Sequence, residues 1–159
     1  MREDGLVKIH IDLPHHWATS GEAMWATPLG NDLFLIENIP FHAYGLNFHD
    51  IVRATPDSSD QIPEIRELVQ PGGHRTFRVF FHNHISRKKQ EEVLDSLKDL
   101  TISYERANRI YFSLDMQPGG NYQAIFAALE ELTEKNILEF ETCEARKEGS
   151  FDDLYEDNK

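Results

Sequence analysis

Thr76-Phe77-Arg78-Val79-Phe80-Phe81 reads as a strand, and the order of elements after it decides the class of the C-terminal half. Ser86 stands as a helix N-cap before a run whose apolar residues, Val93, Leu94, Leu97 and Leu100, share one helical face. Ile102–Glu105 and Arg109–Leu114 read as two strands around an Arg106-Ala107-Asn108 turn. Gly119-Gly120-Asn121 then caps a second helix carrying Tyr122, Ile125, Phe126, Leu129 and Leu132 on one face. Asn136 serves as its C-cap, and Ile137–Cys143 forms a last strand. From His74 onward the order is therefore βαββαβ, the ferredoxin-like arrangement.

Upstream, the chain reads as strands and turns. Residues 6–13 alternate, with Leu6, Lys8, His10 and Asp12 opposite Val7, Ile9, Ile11 and Leu13, and Pro14 ends the strand. Glu22–Leu29 and Leu33–Asn38 flank Gly30-Asn31-Asp32, residues that tolerate positive φ, so a hairpin is expected. Asp50–Ala54 is a short strand, Thr55–Gln61 a polar loop, and Glu64–Val69 a strand or a helical turn. Pro71-Gly72-Gly73 after it suggests entry into a second hairpin. Aromatic and β-branched residues turned inward would make this half a small β-barrel. The class is α+β: a β-rich half over 1–73, a ferredoxin-like half over 74–143 and an acidic tail over 144–159. The Gly72-Gly73 connection is too short for a free linker, so one cooperative unit is expected. The tail, with only Phe151 and Tyr155 as aromatics in polar sequence, reads as frayed or mobile.

Charge narrows the function. Among 159 residues, 28 Asp+Glu against 16 Lys+Arg give a net charge of −12, which argues against nucleic acid or an anionic membrane as partner. Residues 139–159 hold eight acids against three bases, a net of −5, leaving −7 for the rest, so acidity is not confined to the tail. A single cysteine, Cys143, excludes an internal disulfide and fits a reducing, cytoplasmic setting. Met1-Arg2-Glu3-Asp4-Gly5 leads into no apolar h-region, and no apolar run reaches the ~20 residues that span a bilayer.

Catalytic patterns are scarce. His82 and His84, at i and i+2, would share a strand face and are weak metal candidates; without an HExxH or paired cysteines, solvated loop histidines are the simpler account. His15-His16-Trp17 diverge on extended chain and need no ligand. Cys143 lies between Glu141 and Glu144, which oppose thiolate formation, so it is expected in the core. The glycine pairs lie in neither GxGxxG nor GxxxxGK[ST], and no cofactor is expected.

Two further segments carry a resemblance. Glu22-x-x-Trp25-Ala26, then Asn38-Ile39-Pro40-Phe41 with Tyr44-Gly45 and Asp50-Ile51-Val52, then Gly73-His74-Arg75-Thr76-Phe77-Arg78-Val79 together resemble domain-of-unknown-function family 4265, a bacterial family. The resemblance covers the chain from first strand to last. It implies that a shared site would draw on Glu22, Trp25, Asn38, Asp50, Thr76 and Arg78, and His74 joins these as a binding candidate. Their structural alternative is fold maintenance, for example by an Arg78–Asp50 or Arg78–Glu22 pair.

Three function classes remain open. The leading expectation is a non-enzymatic, protein-binding inhibitor, such as a bacterial immunity protein or antitoxin that masks a basic toxin domain. The second is a small-ligand-binding or regulatory module. The third is an enzyme using Glu22, Asp50, Arg78 or His74 in a cleft between the halves.

Overall fold

The computed structural model describes residues 4–59 and 61–154. Its first five strands, β1 (Val7–Asp12), β2 (Gly21–Gly30), β3 (Leu33–Ile36), β4 (Ile51–Thr55) and β5 (Glu64–Gln70), close into a barrel. Neighbours are antiparallel except at the seam, where β5 meets β1 in parallel with His10 opposite Glu64. Gly30, Asn31 and Asp32 take φ values of 87°, 57° and 62°, the left-handed turn that the sequence predicts between β2 and β3. β1 turns Ile9 and Ile11 inward as its alternation requires. Met24, Ala26, Ile36, Val52, Ala54 and Ile65 complete an interior in which β-branched residues are prominent, as the sequence suggested, while the aromatics Phe34 and Phe151 pack at its margin. Trp25 faces outward beside Lys8, because a strand that buries Met24 and Ala26 must expose the residue between them.

The second half runs β6 (Arg75–Phe81), α1 (Arg87–Lys98), β7 (Ile102–Arg106), β8 (Tyr111–Met116), α2 (Tyr122–Glu134), β9 (Leu138–Thr142). Its four strands form one antiparallel sheet in the order β7-β8-β6-β9. Ser86 and Asn121 cap the helices, accepting from Lys89 N at 3.1 Å and Ala124 N at 3.0 Å. Lys135 is the C-cap of α2, and Asn136 follows it in the left-handed conformation at φ 59°. Helix residues Val93, Leu94, Leu97, Ile125 and Leu129 pack on Phe77, Val79, Phe81, Phe112 and Leu114 of the sheet. No helix among the described residues is long and apolar enough to cross a membrane.

Two expectations fail here for physical reasons. β5 pairs with β4 and β1, whereas β6 pairs with β8 and β9, so Pro71-Gly72-Gly73 carries the chain between sheets and makes no hairpin. Gly72 packs so close to the barrel that an added Cβ would lie 2.3 Å from His49 O. The acidic segment is also no free tail as far as Leu154. Cys143 O accepts from Gly45 N at 2.7 Å and Phe151 O from Tyr44 N at 2.9 Å. Phe151 packs on the barrel core, and Asp152 is buried, accepting from His15 N at 2.8 Å. Backbone hydrogen bonding, invisible to composition, orders it. Tyr155 lies outside the described residues.

Candidate functional site

Strand alternation splits the second sheet into an apolar face against the helices and a polar face bearing Thr76, Arg78, Ser113, Asp115, Ser103, Glu105 and Glu141. That polar face is not solvated. Thr76, Arg78, Ser113 and Asp115 are buried, because irregular residues 38–49 of the barrel half lie across it. Buried irregular backbone must find partners for its N–H and C=O groups, and this site is built around that demand.

The barrel supplies most of the acceptors. Glu22 takes the N–H groups of Phe41 at 2.6 Å, His42 at 3.0 Å and Ala43 at 2.9 Å. The sheet supplies most of the donors. Arg78 donates to Pro40 O at 3.4 Å, His42 O at 3.1 Å and Ala43 O, while Ser113 Oγ reaches Ile39 O at 3.3 Å and Tyr111 OH donates to Phe41 O. Glu105 accepts from Ile39 N at 3.3 Å. Residues 39–43 are thereby gripped from both sides, a carboxylate on their amides and a guanidinium on their carbonyls.

Asn38, Asp50, Thr76 and Arg78 of the family pattern each make hydrogen bonds within the fold. Asn38 Oδ1 accepts from Trp25 N at 2.6 Å, pinning the start of the irregular run to β2. Asp50 accepts from Asn47 N and Gly72 N, each at 2.9 Å, and burial raises its pKa above the usual carboxylate value. Thr76 Oγ1 donates to Asn47 Oδ1 at 2.7 Å. Arg78 is wholly buried, and its carboxylate partner is Glu141 at 3.4 Å, not the Asp50 or Glu22 that the sequence suggested. Trp25 stands apart on the barrel exterior, its ring 4.5 Å from Lys8 Nζ.

His74 belongs to a separate cluster. Its Nδ1 lies 2.9 Å from both oxygens of buried Asp115, whose pKa burial raises while the facing imidazole opposes the shift. Phe48 and His49 stand edge-on to the ring, and His49 Nε2 meets Glu37 at 3.0 Å.

A second aromatic cluster lies at the other end of the junction, and in it His16 and Trp17 stack instead of diverging as the sequence suggested. Trp17 stacks on His16 at 5.1 Å and meets Phe80 edge-on at 5.6 Å. Its indole N–H donates to Tyr44 OH at 3.3 Å, which donates to Glu141 at 2.9 Å. His16 meets His42 edge-on, and His42 stacks on Tyr111. His16 Nε2 and His42 Nδ1 are buried atoms with no hydrogen-bond partner among the described residues. Burial lowers both histidine pKa values, and Arg78 adds to that shift. The alternation of polar with apolar residues in Tyr111-Phe112-Ser113-Leu114-Asp115-Met116 gives no sign that this strand is buried on both faces.

His82 and His84 lie just past β6, their rings stacked at 5.9 Å, with His82 3.7 Å from Glu139. Among the described residues, the three-ligand His/carboxylate grouping is instead His10, Asp12 and Glu64 on the barrel seam. Cys143 is buried, and desolvation pushes its thiol up to about 12.

A family model described as a domain of unknown function, DUF4265, matches residues 22–140, from the clamping Glu22 into β9. The chain belongs to the DUF4265 family. The match takes in the whole Glu22–Arg78 clamp, while His10, Trp17 and the segment after Phe140 fall outside it. No curated protein matches the sequence. Among solved structures, the family fold seen here is similar to a hypothetical protein from Neisseria gonorrhoeae, with a TM-score of 0.72 and 19% identity over 87% of this chain and 94% of that one.

Proposed function

We propose that this protein is a non-catalytic binding protein whose ligand is another protein, an inhibitor of the immunity or antitoxin kind. One observation carries the reading: Trp17 is 56% exposed yet held by Tyr44, His16 and Phe80. An exposed, preorganised tryptophan is the side chain that most often anchors a protein interface. Arg78 and Arg146 both pair with Glu141 beside this cluster, while Asp152 and Asp153 lie near the adjoining His16 and offer acids to a basic partner. Glu22, Asp50 and Arg78 are each committed to backbone groups, which favours binding over chemistry. A cytoplasmic setting is part of the same reading, supported by a lone buried thiol. The sheet order β7-β8-β6-β9, with both helices packed on the apolar face of the sheet, supports reading the second half as ferredoxin-like.

The test is retention of a partner from the native host on immobilised wild type and on Trp17→Ala, each checked for folding by circular dichroism. A basic protein held by wild type and lost from Trp17→Ala, with association slowing as salt rises, is the expected result. Equal retention by both would overturn the role of Trp17. The second reading, a small-ligand or catalytic module, is favoured by His74 on Asp115. A metabolite that raises the Tm of wild type and not of His74→Gln would carry it instead.

A further inference from the structure

We infer that His10, Asp12 and Glu64 form a binding site for a divalent transition-metal ion on the barrel seam. His10 and Asp12 are two residues apart on β1, so both project outward while Ile9 and Ile11 fill the core. β5 brings the third donor, because His10 pairs with Glu64 in register and His10 N donates to Pro63 O at 3.0 Å. The donor atoms all lie within 4.8 Å of one another, and His10 Nδ1 is 3.7 Å from Asp12 Oδ1. A metal with ligands at 2.0–2.2 Å wants donors roughly 3.3 Å apart. The Asp12 side chain, 68% exposed, has the freedom to close that gap.

The chemistry of the set narrows the ion. One imidazole nitrogen with two carboxylates suits Zn²⁺, Co²⁺ or Mn²⁺ and leaves positions open. Charge points the same way. Asp12, Asp57 and Glu64 bring three negative charges and Arg66 returns one, so the neighbourhood carries −2 with His10 neutral. Arg66 holds Glu64 Oε2 at 3.2 Å while also binding Asp57 at 2.7 Å and Thr55 Oγ1 at 2.9 Å, which fixes the glutamate in place. Access exists: a cleft of about 520 Å³ lined by His10, Asp57, Gln61 and Ile62 opens onto the site. The ion would bridge β1 and β5, which share one registered residue pair, and so would staple the barrel where its ladder is shortest.

The test uses the full chain stripped with EDTA, titrated with Zn²⁺, Co²⁺ and Mn²⁺ by calorimetry and thermal denaturation. Saturable one-to-one binding with a Tm that rises with ion concentration is expected, with Co²⁺ giving visible d–d absorption. His10→Gln and Asp12→Asn, both on the outer face, should each weaken binding at least tenfold, while His82→Gln with His84→Gln should bind as wild type. Absence of binding by wild type overturns the site. So does binding unchanged in both His10→Gln and Asp12→Asn, or Ca²⁺ binding as tightly as Zn²⁺ and indifferent to His10→Gln, which would mark general attraction to acids.

Discussion

Two imidazoles at the junction set a pH limit on the fold. Burial lowers the pKa of His16 and His42 below the ordinary 6.5, and the Arg78 charge pushes the same way. Unfolded, these histidines take protons near their ordinary value; folded, they resist. Stability from this source is therefore fully present above pH ~6.5 and is lost as pH falls below it toward the depressed folded values. Asp50 and Asp115 work oppositely, since burial raises their values and protonation at lower pH relieves that cost. Replacing both histidines by Gln should flatten the fall in urea midpoint between neutral pH and pH ~5.5, relative to wild type. A slope unchanged by the double substitution would contradict the assignment.

At the scale of the element, the irregular run 39–43 behaves as a strand without a ladder. Its amides go to Glu22 and Glu105 and its carbonyls to Arg78, Ser113 and Tyr111, side chains doing what neighbouring backbone does within a sheet. Arg78 has the larger share of this, because one planar guanidinium serves three carbonyls and Glu141 at once. Arg78→Met should cost about 3–5 kcal/mol in chemical denaturation, since it strands buried carbonyls and removes one of the partners of Glu141. Glu22→Gln, which keeps an acceptor but loses the charge, should cost about 1–3 kcal/mol. The two act on the same peptide groups, so the double variant should lose less than the sum. Strict additivity would mean that the run is held by other contacts.

For the molecule as a whole, the clamp makes the barrel and the second sheet one structure. The polar face of the sheet would be a row of desolvated groups without residues 38–49, and those residues would be orphaned without the sheet. A single calorimetric transition is expected. The segment after β9 shares in it, because Cys143 and Phe151 carbonyls accept from Gly45 and Tyr44 and Asp152 accepts from His15. Truncation after Glu144 should lower Tm by several degrees relative to the full chain, as small changes in ΔG shift Tm by a few degrees in a chain this long. A Tm unchanged by that truncation would return residues 145–154 to the status of a loose tail.

The elements were legible in the sequence because local rules fix them. Strand period, the Ser86 and Asn121 caps and the Gly30-Asn31-Asp32 turn each depend on residues within a few positions of one another. The motif residues Glu22, Asn38, Asp50 and Arg78 were also legible as a set, but not their partners. Arg78 meets carbonyls 35 to 38 residues away, and any carbonyl in the chain offers the same chemistry, so no side-chain pattern announces the pairing. The path of Pro71-Gly72-Gly73 between sheets, the burial of Ser113 and Asp115, and the meeting of His10 with Glu64 share that character. Sequence determined the alternation that put these groups on one face; only tertiary structure decided whether that face met water or another part of the chain, because burial depends on what the rest of the fold lays across it.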